Sequence, residues 1–193
     1  MVKDLWHSLA EARLLRQELV WLHDHGRFSP SRIGQRSGRQ QAAGVRSDEV
    51  CWFDVDAAAD DSSGRLGVRP GPAVTVFLAQ MVLLQSRLNS SCFLSLGELE
   101  CHAACYEAGA SYAAHTDAFA KDNRRVISFC HYLNEDWQEQ DGGCLRLHGD
   151  PTVDVAPLSG RLVLFQSRTM LHEVLPVARQ RFSLTGWMSA RSA

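Results

Sequence analysis

No apolar run in this 193-residue chain approaches the ~20 residues that a membrane-spanning helix needs, so no membrane partner is expected. The chain opens Met1-Val2-Lys3-Asp4 and continues as a charged amphipathic segment with no apolar leader, so the expectation is no secretory signal and a cytoplasmic location. A charge excess is also missing. The 20 basic and 22 acidic residues leave a formal net charge of -2, which offers no field for a nucleic-acid partner. There is no fixed-period repeat and no low-complexity tail, which argues against a solenoid. With 45% hydrophobic and 22% charged residues the composition is neither disordered nor collagen-like. A chain of this length buries roughly 70% of its unfolded surface and needs no cross-link to fold. The cysteines at 51, 92, 101, 105, 130 and 144 therefore read as reduced thiols in one domain spanning 1–193.

Helical periodicity dominates the first half. Leu5, Leu9, Ala12, Leu15, Leu19 and Leu22 fall on one stripe, and Gly26 is placed to end the helix. Arg27, Arg32, Arg36, Arg39 and Arg46 follow with no acid between them, a pattern expected of a solvated, mobile loop. A short strand-like piece at 50–53 precedes an acidic, small-residue loop at 54–64. Pro70-Gly71-Pro72 introduces a second helix, with Val74, Phe77, Leu78, Met81, Leu84 and Leu88 on its core face and Asn89-Ser90-Ser91 as its break. From about residue 97 the period becomes that of strands. Segments 98–106, 124–133, 144–148, 161–166 and 181–188 are punctuated by Asp141-Gly142-Gly143 and Leu158-Ser159-Gly160. The fold class expected is mainly β with flanking helices (α+β): a sandwich or jelly roll with the N-terminal helices packed outside it.

Chemistry concentrates in the β half. In Tyr112-Ala113-Ala114-His115-Thr116-Asp117, residues two apart point to the same side of an extended chain, so His115 and Asp117 can share one metal. His-x-Asp alone arises easily by chance. His172, between two strand segments, completes a set of two imidazoles and one carboxylate. Such a set holds Fe(II) on one face and leaves positions open, whereas zinc favours a closed tetrahedron. His7, His23 and His25 belong to the first helix, and His102, His131 and His148 fall within strands, where a satisfied imidazole is the default. Cys101-x-x-x-Cys105 with His102 is a rival metal cluster, but it lacks a second pair at zinc-site spacing.

Strand 181–188 puts Arg181, Ser183, Thr185 and Trp187 on one face and Phe182, Leu184 and Met188 on the other. A polar, cationic face inside a β-roll is costly unless it binds an anion. Arg181 with the Tyr132 hydroxyl could hold one carboxylate of a small dianion whose other end chelates the metal.

The motifs Tyr106-x-x-Gly109-x-x-Tyr112-x-x-His115-x-Asp117, then Arg125, Tyr132-Leu133-Asn134 and Trp137, then Gly142-Gly143-x-Leu145, then His172 and Arg181 occur in that order. This set resembles the Fe(II)/2-oxoglutarate-dependent prolyl 4-hydroxylases, most of all their hypoxia-sensing branch and its bacterial relatives. The match is dense over 98–188. A weaker similarity runs upstream through Leu22-His23-Asp24-x-Gly26-Arg27-Phe28 and Arg46-x-Asp48-x-x-x-Trp52. The resemblance implies a double-stranded β-helix core at 97–190, supported by a helical part and lid loop at 1–96. It implies His115, Asp117 and His172 as iron ligands, with catalysis resting on these and Arg181. Arg181 and Tyr132 would bind the distal carboxylate of 2-oxoglutarate, with Thr185, Trp187 and Tyr106 as further cosubstrate contacts. The Arg-rich loop 27–48 would become a lid over the substrate, with Arg46 and Asp48 as its hinge pair.

The cofactors implied are Fe(II), 2-oxoglutarate, O2 and L-ascorbate. The substrate implied is a proline-containing protein or peptide, with release of succinate and CO2. The stretch before His115 is a residue shorter than in the hypoxia-sensing members, a departure that bears on the role of Tyr106, and the loop 118–123 differs in composition, so substrate choice is not carried over. Two other readings stand beside this one: a 2-oxoglutarate oxygenase acting on a small molecule or another side chain, and a metal-binding sensor without turnover.

Overall fold

The computed structural model describes residues 1–31, 45–54, 67–118 and 124–191. Most of the Arg-rich loop, most of the acidic loop and nearly all of the 118–123 loop lie outside these described residues, and with them the lid reading.

Helix α1 (Leu9–Asp24) starts at a reciprocal cap. Ser8 Oγ accepts the Glu11 N–H at 3.3 Å while the Glu11 carboxylate accepts the Ser8 N–H at 2.9 Å. Ala12, Leu15, Leu19 and Leu22 are buried as the stripe requires, but Leu5 and Leu9 are exposed. Leu5 sits in the turn before the cap at φ 50°, so the helical stripe begins one turn later than expected. Gly26, at φ 65°, lies just beyond the helix in the left-handed region that favours glycine.

Helix α2 (Pro72–Cys92) has no side-chain cap of its own. Glu18 of α1 reaches across instead, its carboxylate accepting the N–H groups of Gly71 at 2.8 Å and Ala73 at 2.9 Å. A negative charge at a helix N-terminus is favoured by both the free donors and the dipole. The helix continues through Asn89-Ser90-Ser91, where a break was expected. Ser90 returns its hydroxyl to the Ser86 carbonyl at 3.0 Å, and the Asn89 amide bonds both the N–H and the carbonyl of Leu96. These polar residues stitch the helix end to the following strand.

That strand is β4 (Leu96–Tyr106), part of a seven-stranded antiparallel sheet. With β1 (Val2–Lys3), β2 (Ser29–Pro30), β3 (Glu49–Trp52), β6 (Arg125–Tyr132), β9 (Leu162–Gln166) and β11 (Arg181–Ala190) it forms the order β1-β9-β6-β11-β4-β3-β2. A four-stranded sheet of β5 (Tyr112–His115), β10 (His172–Val174), β7 (Leu145–Leu147) and β8 (Val153–Val155) makes the second wall, in the order β5-β10-β7-β8. This is the double-stranded β-helix, with its two helices against the large sheet. No helix among the described residues is long and apolar enough to cross a membrane.

Alternation builds two cores. Phe129, Phe182, Leu184 and Met188 face the helices and pack with Leu15, Leu19, Phe77 and Met81. Tyr106, Cys130, Tyr132, Val163 and Phe165 face the small sheet and pack with Leu145 and Val174. Gly186 is required on the helix side: a Cβ there would lie 2.0 Å from the Glu100 carbonyl and 2.5 Å from the Phe129 ring. β11, paired with β4 on one side and β6 on the other, is thus pinned in register from both directions.

Candidate active site

β5 and β10 pair antiparallel with His172 directly opposite His115, which brings the two imidazole centroids to 4.2 Å. Two residues beyond His115, the chain has left the strand and Asp117 is tethered by its N–H to the Ser167 carbonyl at 3.1 Å. Its carboxylate oxygens lie 3.6 Å from His115 Nε2 and 3.6 Å from His172 Nε2. Ligand atoms from all three side chains fall within 4.8 Å of one another.

The hydrogen-bond chemistry tests whether a metal fits here. His115 Nδ1 lies 2.8 Å from the Ala113 carbonyl, and His172 Nδ1 lies 3.0 Å from the Met170 carbonyl. A carbonyl only accepts, so both Nδ1 atoms carry their proton, and in the neutral form each ring turns the lone pair of Nε2 toward Asp117. Two nitrogen lone pairs and a carboxylate then converge without a hydrogen between them. A cation satisfies all three together, and the donor set suits Fe(II).

Burial works against charge on Asp117, but His115 and His172 when protonated, together with a 2.6 Å hydrogen bond from Ser128 Oγ, hold its carboxyl well below the usual carboxylate range, and with neutral rings a bound cation takes over that role. Burial pushes the His172 imidazole down, keeping it neutral and available as a ligand. Ser128 is held in turn by Ser167 at 2.8 Å. Tyr112 stacks on His115 at 3.6 Å, and Arg46 covers the other part of Tyr112 at 4.6 Å while pairing with Asp48.

Arg181 and Tyr132 meet on the inner face. Arg181 is 2% exposed and forms no ion pair with any described residue. Its guanidinium lies 5.0 Å from the Tyr106 ring centroid and 4.9 Å from that of Tyr132. Arg181 Nε and the Tyr132 hydroxyl are both buried without a hydrogen-bond partner, the latter with the soft Cys130 thiol beside it. Burial holds both Tyr106 and Tyr132 well above the ordinary phenol pKa, so neither supplies a negative charge. An unpaired guanidinium and an unpaired phenol facing the same interior are what a ligand carboxylate would complete.

Thr185 lies on the same face, its hydroxyl 3.4 Å from Ser183 and 3.8 Å from the Cys130 sulfur. Trp187 stacks with His102 and Trp52 at 5.3 and 6.0 Å and carries Arg125 over its ring at 3.5 Å. Sequence reasoning placed Arg125, Ser128, Tyr112 and Trp52 within motifs or on faces, but not in these contacts. Ser167 was missed entirely, because its link to Asp117 crosses between strands.

The model of the 2OG-Fe(II) oxygenase superfamily matches residues 101–189. The crystal structure of a Pseudomonas putida prolyl-4-hydroxylase superposes with a TM-score of 0.82 at 34% identity, covering 100% of this chain and 92% of that one. This chain belongs to the 2OG-Fe(II) oxygenase superfamily. Another superfamily structure, the Trichoplax adhaerens prolyl hydroxylase in complex with a hypoxia inducible factor oxygen degradation domain peptide fragment, gives a TM-score of 0.83. It is 25% identical, over 98% of this chain and 82% of that one. The hypoxia-inducible factor prolyl hydroxylase of Caenorhabditis elegans is 30% identical over 185 residues, 91% of this chain. The chain spans 24% of that worm protein, and 41% of a Synechococcus PKHD-type hydroxylase that is 36% identical over 93 residues.

Proposed function

We propose that this superfamily member is an Fe(II)- and 2-oxoglutarate-dependent dioxygenase that hydroxylates a prolyl residue in a protein or peptide. The observation that carries the reading is the pairing of two incomplete constellations: three converging metal donors without a hydrogen, and the unpartnered Arg181 and Tyr132 on the adjoining face. When bound, iron and 2-oxoglutarate with O2 supply the oxidising chemistry, which places one oxygen on a C–H bond and yields succinate and CO2.

The chain's own residues do the rest. His115 and His172 present neutral nitrogens, oriented by their carbonyl partners, and Asp117 supplies the negative charge, oriented by Ser128. Arg181 and the Tyr132 hydroxyl take the distal carboxylate of 2-oxoglutarate, with Tyr106, Thr185 and Trp187 lining the same space. The apolar inter-sheet core around Val163, Phe165 and Val174 excludes water from that end of the site. The prolyl substrate class is supported by the prolyl-4-hydroxylase from Pseudomonas and by the peptide held by the Trichoplax enzyme. Residues 1–193 act as one dioxygenase domain, with 1–96 supporting a catalytic core at 97–190. L-ascorbate as the reductant and a cytoplasmic location complete the proposal.

The test is an anaerobic titration of metal-free protein with Fe(II) and then 2-oxoglutarate, following the visible charge-transfer band. The band should form in the wild type and vanish in Asp117→Ala and His172→Ala, with far-ultraviolet circular dichroism unchanged. Proline-containing peptides are then assayed for succinate release and the gain of one oxygen atom. A band with no hydroxylated peptide would leave the oxygenase assignment and refute the prolyl one, and absence of the band would refute both.

A further inference from the structure

A second set of metal-ligating side chains stands on the opposite side of β4 from Tyr106. Cys105 points toward the helices, away from His102, so the cluster of Cys101, His102 and Cys105 suggested by spacing does not assemble. Cys105 meets His23, from the last turn of α1, and Glu107, just past the strand. Ligand atoms of His23, Cys105 and Glu107 all lie within 4.8 Å of one another. We propose that His23, Cys105 and Glu107 form a divalent-metal site separate from the active site, with Zn2+ the favoured ion and Glu49 as the fourth ligand.

The distances fit an ion. Bond lengths of about 2.0–2.3 Å at a tetrahedral centre put neighbouring ligand atoms about 3.4 Å apart for nitrogen and oxygen, and about 3.6 Å for sulfur and oxygen. Here His23 Nε2 is 3.7 Å from Glu107 Oε1, and Cys105 Sγ is 3.6 Å from that same oxygen. Glu49 Oε2 is 3.4 Å from His23 Nε2 but stands outside the 4.8 Å cluster, so its partly exposed side chain would swing inward to take the last corner.

The charge balance also asks for a cation. One imidazole nitrogen, bearing at most one hydrogen, faces two carboxylates and a thiol. The neighbouring arginine, Arg16, lies over the Phe182 ring at 5.1 Å and donates to the Leu133 carbonyl. Burial first, then the Glu107 and Glu49 carboxylates, push the Cys105 thiol pKa up, and Arg16 offsets only part of this. A dication reverses that environment, so binding releases the thiol proton to solvent.

The ligands are also held in place. Gln180 Nε2 donates to Glu107 Oε1 at 2.7 Å, and the edges of Phe28 and Phe182 flank the His23 ring at 5.3 and 5.8 Å. Glu107 is 55% exposed along its side chain, which opens the cluster to solvent. The donor set of thiolate, imidazole and carboxylate is that of zinc, and unlike the site at Asp117 it contains sulfur.

Co2+ is the probe, added under argon to the full metal-free chain. One equivalent should produce a thiolate-to-cobalt charge-transfer band that persists in Asp117→Ala and disappears in Cys105→Ser. Glu107→Gln, at an exposed position that tolerates the change, should weaken cobalt binding by at least ~10-fold. Zn2+ should bleach the band with no further proton release, whereas Zn2+ added to the metal-free chain should release about one proton. The inference is overturned if wild type gives no sulfur band, if Cys105→Ser keeps it, if Glu107→Gln binds cobalt as tightly as wild type, or if Zn2+ fails to displace it.

Discussion

Replacing Arg181 by methionine separates what the residue costs the empty fold from what it contributes to ligand binding. The guanidinium is 2% exposed, lies between the faces of Tyr106 and Tyr132 and has an unpartnered Nε. A buried charge without a counter-ion costs several kcal/mol, and two cation–π contacts return about 0.5–2 kcal/mol each. Methionine fills much of the same volume without the charge. The ligand-free variant should therefore lie within about 1 kcal/mol of wild type or exceed it, whereas breaking a buried ion pair would cost about 3–5 kcal/mol.

With 2-oxoglutarate present the order inverts. Two charge-assisted hydrogen bonds at about 1.5–3 kcal/mol each amount to about 3–6 kcal/mol, or roughly two to four orders of magnitude in affinity. At a cosubstrate concentration 100 times the wild-type Kd, wild type gains about 2.7 kcal/mol, an increase in Tm of about 5–11 °C for a chain this long. Arg181→Met should show almost none. The assay is differential scanning calorimetry with Fe(II) under argon, with and without 2-oxoglutarate. A variant that keeps the wild-type shift, or one that loses more than about 3 kcal/mol without ligand, would show that Arg181 has a different partner.

Further expectations follow from other contacts. Ser128→Ala removes the 2.6 Å hydrogen bond to Asp117 Oδ2 and should weaken Fe(II) binding by about 10–100-fold with little change in fold, read by competition with a chelator. Glu18→Ala removes the carboxylate that caps α2 and should destabilise the protein by about 1–2 kcal/mol in urea, without affecting 2-oxoglutarate affinity. His131 is held neutral by burial first and by His7 second, its pKa pushed down to about 3. Below its ordinary value of about 6.5 the unfolded chain takes up a proton that the folded chain refuses, so stability falls with pH by up to about 1.4 kcal/mol per unit down to pH 3. His131→Phe should flatten that slope between pH 6 and 4, and an unchanged slope would contradict the assignment.

What could be read from the chain was whatever its periodicity repeats often enough to reveal. The alternation of residues 181–188 separates Arg181 from Phe182 across a full strand, and the structure keeps that division. His115, Asp117 and His172, named from their order in the chain, meet because strand pairing brings together residues far apart in sequence. Short elements escaped. β1 and β2 have two residues each and β8 and β10 three, too few for a period to show. Asn89-Ser90-Ser91 misled because side chains that usually compete with helix hydrogen bonds here return to carbonyls one turn back or bond the next strand. Leu5 misled because a hydrophobic residue can be placed by a turn as well as by a stripe. The meeting of His23, Cys105 and Glu107 had no local signal, since it joins a helix end to a strand end far apart along the chain.

Successive residues of β11 serve two different clients. Arg181, Ser183, Thr185 and Trp187 belong to the interior of the roll, and Phe182, Leu184 and Met188 to the packing beneath the helices. Substitutions that retune the interior can therefore accumulate one position away from residues whose change would unfold the protein. Insertions and deletions have no such freedom. Losing a single residue from this strand would carry Phe182 into the interior and send the charge of Arg181 toward Phe77 and Met81. In lineages descending from this chain, the strand should vary in its letters while its length stays fixed, even as the loops outside it grow and shrink.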